Sequence, residues 1–322
     1  MQILRDLRTA STSQNAPQPS VFALPAVDFL IRPSVRTVPS LSRPPIVELA
    51  SAHPAADDAN LLYTAVAHAI LPTTNGGKGG TAIVCDCHGD LDILHLARIV
   101  CSSLTATPMT ANDAASETEE ELIKHALRHV HVLRPSTLSS LTATTSTLQA
   151  YLFNSTLHSS SLRQVELLAI VGLTEFAWDE RAAQEEAKYD ASSQDARDGE
   201  PRPDGHLLLT RQLRRVQSTF SCPIVVTTWG LSPSAPPRPG GRAGFRNLLP
   251  NAWADFVTCR LALQRDSVRT FPAGYSVKEA EADREKRADV VSEGRVVVSV
   301  LDGGVGVGKE CTMKVNEAGL RA

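Results

Sequence analysis

A short polar turn near the start of the chain lies between a predicted strand and a predicted helix, where a nucleotide-binding protein has the residues that contact phosphate groups. An apolar run at 46–49 predicts a strand, and apolar residues at helical spacing over 60–71 predict a helix with Asp57 or Asp58 as its N-cap. A phosphate-binding loop between a strand and a helix needs glycines, a lysine and a hydroxyl in the pattern GxxxxGK[ST]. The turn at 52–59 contains none of these and carries two carboxylates. The sequence therefore predicts the scaffold of a nucleotide site without its phosphate chemistry.

A second group of reactive residue types follows an apolar run at 81–86, which predicts a buried strand. Its metal-capable members are Cys85, Asp86, Cys87, His88, Asp90 and Asp92. Their spacing matches no zinc pattern, and alternation at a strand end would scatter the side chains. We therefore expect a strand end with exposed carboxylates and no metal. A metal-dependent hydrolase that uses His88, Asp90 and Asp92 stays open as an alternative.

Three histidines, His125, His129 and His131, raise the same question of metal binding. The first two could share one face of a helix, but His131 falls on the next predicted strand. We therefore expect surface histidines.

A stretch rich in glycine and proline at 231–250 carries arginines with one aromatic residue and few acidic residues. Its candidate residues are Arg238, Arg242, Phe245 and Arg246. Arginines can neutralise phosphates and an aromatic ring can stack on a base, so this composition suits contact with a nucleic acid. A predicted helix at 207–220 adds Arg211, Arg214 and Arg215, which could equally form a solvated face.

Composition limits the class of protein. The chain has 322 residues, of which 42% are hydrophobic, which suits a soluble globular protein with one large domain or two small ones. A net charge of -3 gives no global nucleic-acid signature, so any basic surface must be local. We expect no signal peptide and six reduced cysteines, as in a nuclear or cytosolic protein, and no stretch reaches the roughly 20 apolar residues of a membrane span.

The elements that must position these residues alternate between strand and helix. The predicted strands after the first are 81–86, 130–133, 165–173, 223–228, 255–264, 295–301 and 311–316, and the predicted helices are 60–71, 91–104, 119–128, 136–157 and 207–220. This alternation predicts an α/β fold with a mostly parallel sheet flanked by helices. The last two strands predict an antiparallel hairpin, whose turn matches GxxxxGK at 303–309 but has too little chain after it for a phosphate site.

The segments outside this core have their own compositions. Residues 1–45 carry seven prolines and are expected to form a mobile arm, with Ile3, Leu4 and Leu7 on one face of a short helix. Within the core at 46–322, the stretches 179–206 and 230–250 are expected to be flexible loops.

Taken in order, these motifs resemble those of the RecA-type recombinase paralogues. The matching residues are Glu48 and Leu49, 60–63, 69–72, Gly76 and Gly77, 84–86, 92–94, Leu96, 167–173, Phe176, Trp178, Asp179, Arg181, 226–228 and 316–319. The run LAIVGLTEFAWDER at 168–181 is the most distinctive. The resemblance implies a RecA-like ATPase core that lacks the N-terminal helical domain of full-length recombinases.

The same resemblance implies a role in DNA double-strand break repair by homologous recombination and in replication-fork protection. The chain would act in the nucleus as one subunit of a hetero-oligomer of recombinase paralogues that binds single-stranded or branched DNA. By position, the two DNA-holding loops of the family correspond to 179–206 and 230–250. The apolar face at Ile3, Leu4 and Leu7 is a candidate contact with a partner paralogue.

The departures from the family pattern fall on its ATPase residues. Asp58 takes the place of the phosphate-loop lysine, and Ala59 takes the place of the magnesium-binding hydroxyl. If the alignment is shifted by one residue, Asp57 and Asp58 take these two places instead. Val171 occupies the position of the carboxylate that orients the water shell of the magnesium ion, and His88 occupies the position of the catalytic carboxylate. Loss of the lysine alone removes a contact of roughly 2–3 kcal/mol. We expect a pseudo-ATPase without a cofactor, and an ATP-dependent DNA-binding ATPase with a rewired site is the alternative.

Overall fold

The structure is a computed structural model, and it describes most of the chain. The described residues are 20–32, 43–51, 58–105, 119–192, 204–229, 249–265, 274, 276–292, 294–316 and 319–321. Three predictions lie outside them, namely those on the arm residues Ile3, Leu4 and Leu7, on Asp57, and on the loop residues Arg238, Arg242, Phe245 and Arg246.

Strands and helices alternate along the described chain. The strands are β1 (Ile46–Ser51), β2 (Thr81–Asp86), β3 (Val130–Leu133), β4 (Val165–Val171), β5 (Ile224–Trp229), β6 (Cys259–Arg265), β7 (Arg295–Gly303), β8 (Glu310–Asn316) and β9 (Gly319–Arg321). The helices are α1 (Pro25–Leu30), α2 (Asp58–Ile70), α3 (Ile93–Thr105), α4 (Glu119–Leu127), α5 (Leu138–Leu152), α6 (Glu175–Ser192), α7 (Gly205–Phe220), α8 (Asn251–Ala254) and α9 (Val277–Ser292). None of these helices combines the length and the apolar character that a membrane crossing requires.

All the described strands join one sheet in the order β3-β2-β4-β5-β1-β6-β7-β8-β9. The strands from β3 to β6 in this order are parallel, and β6 to β9 are antiparallel. The predicted α/β class, the mostly parallel sheet and the C-terminal antiparallel hairpin are therefore confirmed. The hairpin turn predicted at 303–309 is also confirmed, because β7 and β8 pair across it.

Two hydrophobic cores lie on opposite faces of the sheet. Helices α1 to α4 cover one face, where Val47 and Leu49 of β1 are buried. Helices α5 to α8 cover the other, where Ile46 of the same strand is buried. Burial on both faces explains why the central strands are continuous apolar runs instead of alternating ones.

The connections that leave the neighbouring strands β2 and β4 run over opposite faces of the sheet. The chain leaves β2 for β3 through α3 and α4 on the first face, and it leaves β4 for β5 through α6 and α7 on the second. The carboxyl ends of the neighbouring strands β2 and β4 therefore form a topological switch point, which we call the crevice. Such a point, where successive connections run to opposite faces, is where open α/β sheets bind ligands.

The prediction of a mobile arm is wrong for residues 20–32, which pack into the core. Helix α1 buries Val27 and Leu30, and Phe22 just before it is fully buried. The Asp28 carboxylate accepts hydrogen bonds from the Ser20 hydroxyl at 2.5 Å and from the Val21 backbone N–H at 2.9 Å. Apolar residues within a proline-rich stretch were enough to anchor this part of the segment.

The prediction of a flexible loop at 179–206 is wrong for residues 179–192 and 205–206. Helix α6 continues to Ser192, and α7 begins at Gly205 with the Asp204 carboxylate accepting from the His206 N–H at 2.9 Å. The stretch between β6 and β7, for which no helix was predicted, contains helix α9. Both helices are rich in alanine and glutamate, which favour helix even in strongly charged segments.

Candidate functional site

The strand and helix predicted around the phosphate-loop turn are present. Strand β1 ends at Ser51, and Asp58 and Ala59 open helix α2. Beside this helix, the Asn60 side-chain oxygen lies 2.6 Å from His95 Nε2, and the Tyr63 hydroxyl accepts from the Asp92 N–H at 2.8 Å. The first turns of α2 and α3 are therefore held together by polar contacts.

A buried carboxylate shapes the loop that follows β2. Asp86 Oδ1 accepts a hydrogen bond from the Gly89 N–H at 2.8 Å, and Oδ2 lies 3.5 Å from the Arg134 guanidinium Nε. The side chain of Asp86 is fully buried, which corrects the expectation of an exposed carboxylate at this position, whereas Asp90 is exposed as expected. Asp86 thus fixes the turn that presents His88.

His88 bridges the crevice between β2 and β4. Its Nε2 lies 2.8 Å from an oxygen of Asp90, and its Nδ1 lies 2.8 Å from an oxygen of Glu175 at the start of α6. A neutral imidazole has a single N–H donor, so donating to both carboxylates requires the imidazolium form. We call this arrangement of His88, Asp90 and Glu175 the His88 bridge. The sequence alone did not identify Glu175, although it lies in the distinctive run at 168–181.

The hydrolase alternative is not supported by this geometry. Asp92 Oδ1 accepts from the backbone N–H groups of Leu94 and His95 at 2.9 and 3.0 Å, so Asp92 caps α3 and does not face His88. The two carboxylates of the His88 bridge lie on opposite ring nitrogens, so one ion could not bind all three groups. Within the described part of the chain, no group of three or more His, Cys, Asp and Glu side chains is arranged to hold a metal ion.

Hydrogen bonds tie the end of β4 to the chain after β2 on one side and to β5 on the other. The Val171 carbonyl accepts from the Cys87 N–H at 3.0 Å, and the Gly172 N–H donates to the Thr227 hydroxyl at 2.9 Å. The Trp229 backbone N–H donates to the Thr174 hydroxyl at 3.2 Å. Val171 thus contributes a backbone oxygen where the family pattern has a carboxylate side chain.

Substituting Gly172 with alanine should destabilise the protein, because Gly172 has a φ of +71° and an added Cβ would lie 2.8 Å from the Cβ of His88. The left-handed backbone and the clash together are expected to cost about 1–3 kcal/mol. Gly89 is the matched control, since it has a φ of +84° with nothing within 4 Å of an added Cβ. Denaturant unfolding should show a larger loss for Gly172→Ala than for Gly89→Ala, and equal losses would contradict the close approach to His88.

A buried ion pair lies within the sheet and joins the neighbouring strands β5, β1 and β6. Glu48 in β1 is 1% exposed, and its two oxygens accept from the Thr228 hydroxyl at 2.8 Å and from the Arg260 Nε at 2.6 Å. Arg260 Nη1 is 3.9 Å from Asp302, and Arg260 Nη2 is buried with no partner among the described residues. These contacts connect β1 to β5 and β6 through side chains as well as backbone.

Two of the three histidines that were expected at the surface are buried, which corrects that prediction. His129 and His131 are 3% and 7% exposed, and only His125 is exposed. His129 Nδ1 and His131 Nε2 lie 2.8 and 2.9 Å from the hydroxyl of the buried Ser160. His131 Nδ1 lies 2.8 Å from the Tyr151 hydroxyl. These side chains form a connected polar network at the amino end of β3, away from the crevice.

Burial controls the charge of this network. Burial, with the positive charge of Arg163 as the next cause, lowers the pKa of His129 from 6.5 to about 4. Burial and the neighbouring His158 also lower the pKa of His131. The two buried histidines are therefore neutral near pH 7, as a chain of hydrogen bonds through a serine hydroxyl requires.

Comparison with known proteins adds no family assignment. No protein-family model matches the chain, and no curated protein matches it.

Proposed function

We propose that the chain is a non-catalytic, RecA-like recombinase paralogue that serves as a structural subunit of a hetero-oligomer with ATP-competent paralogues. It would act in the nucleus, in double-strand break repair by homologous recombination and in replication-fork protection. The observation that carries this proposal is the His88 bridge, because it places a histidine held between two carboxylates where the resemblance places a catalytic carboxylate.

The charges around the crevice argue against nucleotide chemistry. Asp90 and Glu175 present carboxylates there. In the sequence, the turn at 52–59 contains two aspartates and no lysine. Like charges in one place repel a triphosphate, and no positive side chain replaces the missing lysine in the turn. Val171 offers no carboxylate to orient the water shell of a magnesium ion.

A core that lacks nucleotide chemistry can still offer a neighbour a rigid face. The strand ends at the crevice are fixed by the backbone contacts of Gly172 and Trp229 and by the Asp86 carboxylate. The loop arginines Arg238, Arg242 and Arg246 remain the predicted DNA contact within the complex.

Co-expression with ATP-competent RecA-family paralogues tests the subunit role. We expect a stoichiometric complex that survives size-exclusion chromatography, formed equally well by the Glu175→Gln variant in a buffer without nucleotide. Failure of the chain to associate with any of these paralogues would contradict the proposal.

Titration of the isolated chain with a fluorescent ATP analogue and Mg²⁺ tests the absence of nucleotide chemistry. We expect no saturable binding up to millimolar concentrations. Micromolar binding that weakens in an Asp58→Ala variant would instead favour the ATP-dependent DNA-binding alternative.

A further inference from the structure

A group of arginines lies on and next to the part of helix α7 that contacts the chain just before β1 and just before β6, at the opposite edge of the sheet from the crevice. Its members are Arg43 just before β1 and Arg211, Arg214 and Arg215 in α7, and we call them the arginine surface. Arg211 precedes Arg214 and Arg215 by three and four positions, a spacing that makes side chains neighbours on a helix. The buried face of the helix is formed by other residues, including Leu209, Leu213 and Val216.

Arg214 is held in place by contacts that leave its charge unneutralised. Its Nη2 donates to the Phe256 carbonyl at 2.8 Å, its Nη1 donates to the Gln217 side-chain oxygen at 3.3 Å, and its guanidinium stacks on the Phe256 ring at 4.7 Å. These partners are neutral groups. A guanidinium fixed by carbonyl oxygens keeps a full positive charge in a defined position.

A separate contact holds the chain at Arg43 close to helix α7 and Arg214. The Gln217 side-chain amide donates to the Pro44 carbonyl at 2.9 Å, which fixes the backbone beside Arg43 against α7. Burial, together with the nearby charge of Arg43, lowers the pKa of Arg214, as expected for two guanidiniums that repel each other. Arg43, Arg211 and Arg215 are exposed, and within the described part of the chain no ion pair joins any of the four to a carboxylate.

We propose that the arginine surface binds the phosphate backbone of a nucleic acid, as a contact additional to the predicted loop at 230–250. Several unpaired guanidiniums, one of them fixed in orientation, match a row of phosphates, because guanidinium groups bind phosphate oxygens in a bidentate manner. The choice of nucleic acid over another polyanion rests on the proposed function.

The surface carries the charge of a phosphate contact without the elements of base recognition. Its described aromatic ring, Phe256, is buried and already occupied by Arg214. Binding should therefore be independent of base sequence and strongly dependent on salt.

Fluorescence anisotropy with the full chain and labelled mixed-sequence single-stranded DNA tests this proposal over a range of salt concentrations. The variant is Arg211→Gln with Arg215→Gln, since glutamine keeps a similar helix propensity and Arg214 is left to hold Phe256. Loss of two phosphate contacts should weaken binding and make the slope of log affinity against log salt shallower by about 1.4.

The matched control is Arg98→Gln with Arg284→Gln, which removes the same charge from exposed positions elsewhere. Unchanged binding by the control, together with weaker binding by the Arg211/Arg215 variant, would support the arginine surface. A wild-type affinity and salt slope in the Arg211/Arg215 variant would overturn it, and so would an equal loss in the control. Competition by polyglutamate as effective as by unlabelled DNA would also overturn it, in favour of an acidic protein partner. Because these measurements use the chain alone, a failed co-expression with paralogues would leave their result unaffected.

Discussion

Replacing Glu48 with alanine is expected to lower the free energy of unfolding by about 3–5 kcal/mol, the usual cost of removing one partner from a buried ion pair. The substitution leaves the Arg260 guanidinium, whose side chain is 14% exposed, without its closest carboxylate, and it leaves the Thr228 hydroxyl without an acceptor. Denaturant unfolding followed by circular dichroism measures the change.

Asp302 provides the matched control, because it also faces Arg260 but at 3.9 Å and with its side chain 68% exposed. Asp302→Asn should therefore cost at most about 1 kcal/mol. In the double variant Glu48→Leu with Arg260→Leu much of the stability should return, since the unpaired charge is gone. If Glu48→Ala costs no more than Asp302→Asn, the ion pair does not connect the three strands as described.

Acidification from pH 7 towards pH 5 is expected to destabilise the protein through its buried histidines. Because the pKa of His129 is lowered in the folded state, the unfolded chain binds a proton below pH 6.5 that the folded chain does not bind. The free energy of unfolding should therefore fall by up to about 1.4 kcal/mol per pH unit for each such histidine. For His129 this loss continues until about pH 4, where its folded-state pKa lies.

Variants that remove single histidines isolate this effect. Between pH 7 and 5.5, His129→Gln should reduce the slope of the free energy of unfolding against pH by up to about 1.4 kcal/mol per pH unit, the contribution of one proton. His125→Gln, at an exposed position, should leave this slope unchanged. The range above pH 5.5 lies largely above the titration of ordinary carboxylates. The same pH dependence in wild type and in His129→Gln would show that the network does not govern acid stability.

The strands were the most predictable part of the fold. The predicted strands 81–86 and 130–133 coincide with β2 and β3. Strand β2 is a short apolar run that is buried along its whole length, and such a run predicts the limits of a strand well. Helix α5 ends at Leu152, five residues before its predicted end, because the following residues turn back through contacts such as the Leu157 N–H to the Asn154 carbonyl at 3.2 Å. Helices α6 and α9 were not predicted, because their strongly charged composition is also typical of disordered segments although their residues favour helix.

The candidate site was only partly predictable, because its contacts join distant parts of the chain. His88 could be named from its place after β2, but its partner Glu175 lies 87 positions later and comes close only because β2 and β4 are neighbours. The burial of His129 likewise depends on Ser160, which reaches it from the loop before β4. Neither pairing leaves a periodic pattern in the sequence.

The place of β1 in the sheet has a consequence for biosynthesis. Its contacts to β5 and β6 span 180 and 212 positions, as between Glu48 and Thr228 or Arg260. At the 5–20 residues per second of translation, about 10–40 s separate the synthesis of Glu48 from that of Arg260. Until β5 has been synthesised, both edges of β1 present unpaired N–H and C=O groups that other chains could join, and the edge that pairs with β6 does so for the whole interval. We therefore expect the risk of aggregation of a nascent chain to persist until β6 has emerged.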